Sequence, residues 1–267
     1  MDNILIVIQA RMSSTRLPGK VLLPLMEKPL IARMMERVLN TKYNPIVVIA
    51  TTIEKEDDII EQLCIENKWQ VFRGDKEDLL DRHYQAAKEF NADIILKIPS
   101  DCPLIDPAII DRVLEFFLAN IDTYDYVSNL HPASYPDGND VEVMTMKALK
   151  EAWSNSSKKM EREHTTPYFW ENPEKFRIGN VLWENGLDYS MSHRWTIDYP
   201  EDYTFIKEIF ELLYGSNQLF RLEDILNLLQ QKPELNKINN ELTGVNWYRN
   251  HLDELKTIDK SKTKILN

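Results

Sequence analysis

Three short runs of β-branched and aliphatic residues, ILIVI at 4–8, IVVIA at 46–50 and DIILKI at 93–98, constrain this chain more than any other feature. Each run is nearly continuous rather than alternating, the pattern of a strand buried on both faces. Between them lie segments with helical spacing, Leu30, Met34 and Val38 in 29–39, and Ile59, Ile60 and Leu63 in 55–66. Strand then helix, repeated, implies crossover connections and hence an α/β fold with a mostly parallel central sheet flanked by helices.

Further along, Asp106-Pro107 reads as an N-cap followed by proline at the first helical position, opening a helix over 106–119. Tyr126-Val127 and VEVMT at 141–145 read as strands, with Tyr135-Pro136-Asp137-Gly138 as a turn between them. The pattern is mixed from about 130 to 190, which suggests an insertion lying over the sheet. Residues 194–198 (RWTID) read as a short strand, Pro200 opens a helix, and another helix begins near Leu222. The expected division is a main domain over 1–214 and a helical appendage over 215–267, of which residues 232–267 are lysine- and asparagine-rich and read as a surface segment frayed at its end.

With 43% hydrophobic residues in 267, the chain can bury one sizeable core. Its net charge of −11 argues against nucleic acid as a general partner. Two cysteines, Cys64 and Cys102, and no secretory apolar segment behind Met1-Asp2 suggest a reduced, cytoplasmic protein without a disulfide framework. No apolar run approaches the roughly 20 residues of a membrane span.

Against the acidic whole, residues 1–40 hold six cations and three acids. Three of those cations, Arg11, Arg16 and Lys20, share a loop with Ser13, Ser14 and Thr15 directly after the first strand. Ligands of open α/β sheets bind at the carboxyl ends of strands, so this loop is placed to cradle a polyphosphate. A solvated basic turn is the plainer reading. No G-x-G-x-x-G is present, and Gly19-Lys20 lacks the upstream glycine of a P-loop, which disfavours dinucleotide dehydrogenases and P-loop kinases.

The second constellation is IPSDCP at 98–103, where a buried strand ends in Asp101 between two prolines. Asp198 ends the 194–198 run in the same way. Two strand-end carboxylates suit a hard divalent ion such as Mg²⁺, completed by phosphate oxygens. Each also reads as a helix N-cap. Cys102 lacks an evident base partner and reads as a small packing residue.

The segments IQARMSSTRLPGK, FRGDKEDLLDRHYQAA, IPSDCPLIDP, YPDGNDVEV, EREHTTPY and HRWTIDYPEDY resemble, in order, the spore coat polysaccharide biosynthesis protein F family. That family is similar to the cytidylyltransferases that activate acidic sugars such as 3-deoxy-manno-octulosonate and sialic acid. The resemblance implies a nucleotide-diphospho-sugar transferase (GT-A-like) fold, dependence on Mg²⁺ and nucleotidyl transfer, most often from CTP. Carried over, it places Ala10, Arg11, Ser13, Arg16, Lys20, Arg73, Asp78, Arg82 and Ser100 at the nucleotide or its supporting shell. Lys20, Arg11, Arg16 and Asp101 become the catalytic set, and Asp101 with Asp198 the metal ligands. Asp137, Asp140 and Glu142 fall near the acceptor. Ser13 and Ser100 stand where the family commonly has glycine.

Arg162, His164, His193 and Arg194 read as further acceptor contacts, since arginine offers a fork for a carboxylate or phosphate. A histidine beside a helix end is more often a satisfied structural group than a catalyst, and both histidines have that plainer reading. The activity the resemblance implies is transfer of a cytidylyl group from CTP to an acidic sugar as the small acidic acceptor, with pyrophosphate released, in surface polysaccharide or glycan biosynthesis. Alternatives are a phosphate- or phosphonate-bearing acceptor, a glycosyltransferase using a nucleotide sugar, and a nucleotide-binding module without turnover. Related enzymes often pair as homodimers, and Tyr168, Phe169, Trp170 and Trp183 would suit such an interface or a covered core.

Overall fold

The computed structural model describes residues 3–266. Nine strands occur among them: β1 Ile4–Gln9, β2 Pro24–Leu25, β3 Lys28–Pro29, β4 Ile46–Thr52, β5 Gln70–Gly74, β6 Ile94–Pro99, β7 Tyr126–Ser128, β8 Glu142–Thr145 and β9 Ile178–Asn180. Seven form one sheet in the order β5-β4-β1-β6-β8-β7-β9, and β2 with β3 makes a separate hairpin. β1 lies parallel to β4 and β6, with Val7 beside Val48 and Lys97, while β8 runs antiparallel to β6 and β7.

The continuous apolar runs have the expected reason. Leu5, Val7, Val48, Ala50 and Ile95 enter one core, and Ile6, Ile8, Val47, Ile49, Leu96 and Ile98 enter the other, on the opposite face. Helices cover both: α1 Leu30–Val38, α2 Asp58–Asn67, α3 Leu79–Glu89, α4 Pro107–Ala119, α5 Met146–Asn155, α6 Lys159–His164, α7 Pro167–Trp170, α8 Pro200–Leu213 and α9 Leu222–Gln231. Asp106 caps α4 as expected, accepting from Ala108 N at 2.8 Å. On α2 the core-facing pair is Ile60 and Cys64, while Ile59 is exposed.

Several expectations are corrected. Within 130–190, β8 and β9 belong to the central sheet and complete it rather than lying over it. Residues 194–198 form no strand. They run extended across the strand ends, joined by one bridge from Arg194 to Asp137 and by Ile197 N donating to Asp101 O. Their burial gives a strand-like composition without a strand neighbour. Gly138 makes this approach possible: its φ is +111°, and an added Cβ would stand 2.7 Å from the backbone carbon of Trp195. Tyr168, Phe169, Trp170 and Trp183 are buried within the chain itself.

Of residues 232–267, expected to form a surface appendage, the described ones carry short 3₁₀ turns such as Trp247–Asn250 and bury Val245, Tyr248 and Leu255. No helix among the described residues is long and apolar enough to cross a membrane. Cys64 and Cys102 are free and buried.

Candidate active site

The loop leaving β1 is held by its own backbone and by a carboxylate from the next crossover. Ala10 N donates to Ala50 O, and the Met12 carbonyl accepts from both Ser14 N and Gly19 N at 2.9 Å. Met12 N donates to Asp57 Oδ1 at 2.7 Å, and the hydroxyl of Thr52 donates to the other oxygen of that buried side chain. Asp57 thus fixes the loop's course, a role no local pattern in the sequence distinguishes from a helix start. Gly19 adopts φ +69° and leads into the turn Lys20–Leu22, which directs Lys20 under the loop.

There Lys20 Nζ donates to Asp101 Oδ2 at 2.8 Å, to Asp198 Oδ1 at 3.0 Å and to Ile197 O at 2.7 Å. Arg16 pairs with Asp198 at 2.7 Å. Burial disfavours charge on Lys20, but Asp101 and Asp198 outweigh it and raise its pKa. Burial likewise opposes the charge of Asp198, yet Lys20 and Arg16 hold its carboxyl down to about 2. Arg194 is committed on all sides, to Asp202 at 2.9 Å, Asp137 at 3.2 Å, Asp198 at 3.4 Å and the Val245 carbonyl at 2.7 Å.

Next to this lattice of paired charges stand carboxylates pushed the other way. Burial, then the charge of Asp101, raises Asp140 to about 6. Burial and Asp140 raise Asp137 well above the usual carboxylate range. Among the described residues no three His, Cys, Asp or Glu side chains gather as a closed metal site. Asp101 and Asp198 nevertheless converge on one nitrogen, and their hard oxygens fit a divalent cation that takes its remaining ligands from phosphate or water.

These groups open into a cleft of about 920 Å³. Ala10, Arg11, Arg16, Lys20, Arg82, Ser100, Asp101, Asp137, Asp140, Glu142, His164, Arg194 and Asp198 all line it. Arg82 is distinctive: only 3% exposed, it leaves Nε and Nη1 without partners, and burial with nearby Arg11 pushes its pKa down to about 10. An unpaired buried guanidinium facing a cleft is a site for an anion.

Other residues singled out in the sequence stand away from the cleft. Arg73 braces the β4–β5 edge, bonding Thr52 O at 2.8 Å and Glu61 at 2.6 Å. Asp78 caps α3, accepting from Asp81 N at 2.8 Å, and pairs with Arg162, whose Nη1 also donates to Trp153 O at 2.6 Å. Arg162 is thus a clamp between α3 and α6 rather than an acceptor contact. His193 stacks on Tyr189 with centroids 4.2 Å apart and faces a smaller groove beside α9. The Ser13 hydroxyl is buried without a partner. Cys102 is a packing residue whose thiol burial and Asp101 push well above its ordinary value.

The half of the cleft beyond Asp140 is aromatic. His164 stacks on Trp247 with centroids 3.8 Å apart, and His131 lies 4.5 Å from Trp170. Burial holds both histidines neutral, His164 pushed down to about 3 and His131 to about 4. Lys97 and Glu142 pair at 2.5 Å on the floor. Sequence reasoning missed His131, Lys97 and Trp247.

A mostly parallel sheet with a basic loop after its first strand and carboxylates at its strand ends is the arrangement of a nucleotidyltransferase of the nucleotide-diphospho-sugar fold. The chain belongs to the cytidylyltransferase family, which it matches over residues 5–235. It is 35% identical over 244 residues to an uncharacterised protein of Methanocaldococcus jannaschii, covering 88% of this chain and 94% of that one. It is 30% identical to the spore coat polysaccharide biosynthesis protein SpsF of Bacillus subtilis, covering 88% and 97%. A cytidylyltransferase structure from Leptospira borgpetersenii superposes with TM-score 0.83 at 36% identity, covering 88% of this chain and 97% of that one. At the level of fold alone, CMP:2-keto-3-deoxy-manno-octonic acid synthetase complexed with CTP superposes with TM-score 0.58 at 18% identity, covering 78% of this chain and 98% of that one.

Proposed function

We propose that this enzyme transfers a cytidylyl group from CTP to an oxygen of an acidic sugar and releases pyrophosphate. The observation that carries the reading is Lys20 held between Asp101 and Asp198 beneath the Arg11–Arg16 loop. Support for the nucleotide comes from the family match and from a fold neighbour solved with CTP. Support for a sugar pathway comes from the spore coat polysaccharide relative.

In this reading Arg11, Arg16 and Lys20 offset the charge that accumulates on the departing pyrophosphate, and Arg82 binds an anionic part of the nucleotide. The acceptor oxygen forms its bond to the α-phosphorus as the α–β bridging bond breaks. Asp140, pushed up to about 6, is suited to take the acceptor's hydroxyl proton near neutral pH. Asp101 and Asp198 would hold Mg²⁺, which when bound shields phosphate charge. Ala10 and Ser100 shape the nucleotide side, while Asp137 keeps Arg194 in place.

The test is pyrophosphate release with Mg²⁺, comparing CTP with ATP, GTP and UTP, each with a panel of acidic sugars and of phosphate- or phosphonate-bearing acceptors. Release that needs both CTP and one acidic sugar is expected. Release with a phosphonate alone would move the acceptor class. Sugar transfer from a nucleotide sugar, with no pyrophosphate from any pair, would overturn the reading in favour of a glycosyltransferase.

A further inference from the structure

The far wall of the cleft is built by the C-terminal segment, which lies outside the residues 5–235 that carry the family match. Val245, Trp247, Tyr248 and Lys262 all line the cavity. The segment is fastened to the body at three places. Glu171, itself buried, accepts from Lys256 N at 2.7 Å, Thr257 N at 2.9 Å and the Thr257 hydroxyl at 2.6 Å. Trp247 stacks on His164 of α6, and the Val245 carbonyl accepts from Arg194. A tail tied by its backbone to a buried carboxylate and to the central arginine is part of the site's architecture.

What this wall offers is chemically distinct from the nucleotide side. Trp247 and Tyr248 give it aromatic surface, next to the neutral His131 and His164. The other cations of this half are committed, Lys97 to Glu142 and Arg194 to three aspartates. Lys262 forms no ion pair among the described residues and is exposed at the cleft, so it has a charge to give to a ligand. Aromatic rings present faces to the C–H side of a sugar ring, and an ammonium at the rim complements a carboxylate.

We infer that residues 244–262 are the specificity-determining wall for the acceptor: Trp247 and Tyr248 pack against its ring and Lys262 recognises its carboxylate. The inference rests on the acidic-sugar reading above and gives its recognition elements. It places them on a segment held by Glu171, His164 and Arg194 rather than by pairing in the sheet.

Two full-length variants test it, W247A and K262E, the second at an exposed position that leaves folding intact. CTP affinity, measured by titration calorimetry without acceptor, stays within about twofold of wild type in both. With the acidic sugar that supports pyrophosphate release, W247A raises the acceptor KM roughly tenfold. K262E raises it about threefold to fivefold, with kcat nearly unchanged. Pyrophosphate formed from CTP and water needs no acceptor, and it rises severalfold in W247A because the wall no longer excludes solvent. Acceptor KM unchanged in both variants, or CTP affinity lost in step with it, would overturn the inference. If wild type uses no acidic sugar at all, the acceptor reading fails by itself. The hydrolysis comparison then decides the wall: a rise in W247A keeps it and no change removes it.

Discussion

Lys20 and Asp101, 81 residues apart in sequence, meet at 2.8 Å where two strand-exit loops converge, and the same ammonium reaches Asp198 at 3.0 Å. One cation thus holds two carboxylates that would otherwise repel. Replacing it with methionine keeps the aliphatic stem and removes the charge, so K20M should lose about 3 kcal/mol of stability, roughly 5–10 °C in Tm. Its pyrophosphate release should fall by about 10²-fold or more. Millimolar Mg²⁺ should restore more Tm to K20M than it adds to wild type, because the freed carboxylates are then the better cation site. Full turnover of K20M at saturating substrate would remove Lys20 from the chemistry.

Arg82 argues in the opposite direction. Its guanidinium is buried with two nitrogens unpartnered, a cost the free protein carries until an anion arrives. Arg82→Met should therefore leave Tm unchanged or higher in the absence of nucleotide. CTP affinity should weaken by roughly tenfold to a hundredfold, read by calorimetry. A variant that binds CTP normally would show that the guanidinium faces something else.

How much of this was legible follows from burial and sequence distance. β1, β4 and β6 are central and buried on both faces, so their apolar runs are unmistakable. β5 is an edge strand, its five residues QVFRG half-exposed, and no periodic signal marks it. Arg16, Lys20, Asp101 and Asp198 could be proposed because each sits just past an apolar run, where an open sheet places its ligands. Arg162 and Asp78 could not be told apart from site residues, since their partnership spans 84 positions. The Trp247 wall was invisible for the same reason: its segment lacks periodicity and is positioned by Glu171, 85 and 86 residues upstream of the amides it accepts.

The Arg162 clamp gives a direct check on that distinction. Arg162 Nε donates to Asp78 Oδ2 at 2.8 Å, and Asp78 at the same time caps α3. R162A should cost about 1 kcal/mol, a few degrees in Tm, because the pair is only partly screened from solvent. Acceptor KM should not change. A rise in KM with Tm intact would return Arg162 to the acceptor site.

Asp140 couples stability to pH with a definite sign. Its folded-state carboxyl is pushed up to about 6 by burial and by Asp101, against an ordinary value of 3.8. A carboxyl raised on folding contributes stability that is fully present below the unfolded value and is lost as pH rises through the folded one. Between pH 4 and pH 6 the folded protein thus gives up stability at this position, and above pH 6 the penalty is complete, about 2 kcal/mol after allowance for partial solvent access. Asparagine keeps the shape and cannot ionise. In metal-free buffer D140N should melt several degrees above wild type at pH 8, and the two curves should converge by pH 4. The same variant should release pyrophosphate far more slowly at pH 8, since the group suited to accept the acceptor's proton is gone. A gain in Tm at pH 8 with turnover intact would leave Asp140 a structural burden only, whereas equal Tm at both pH values would mean that its carboxyl is not raised at all.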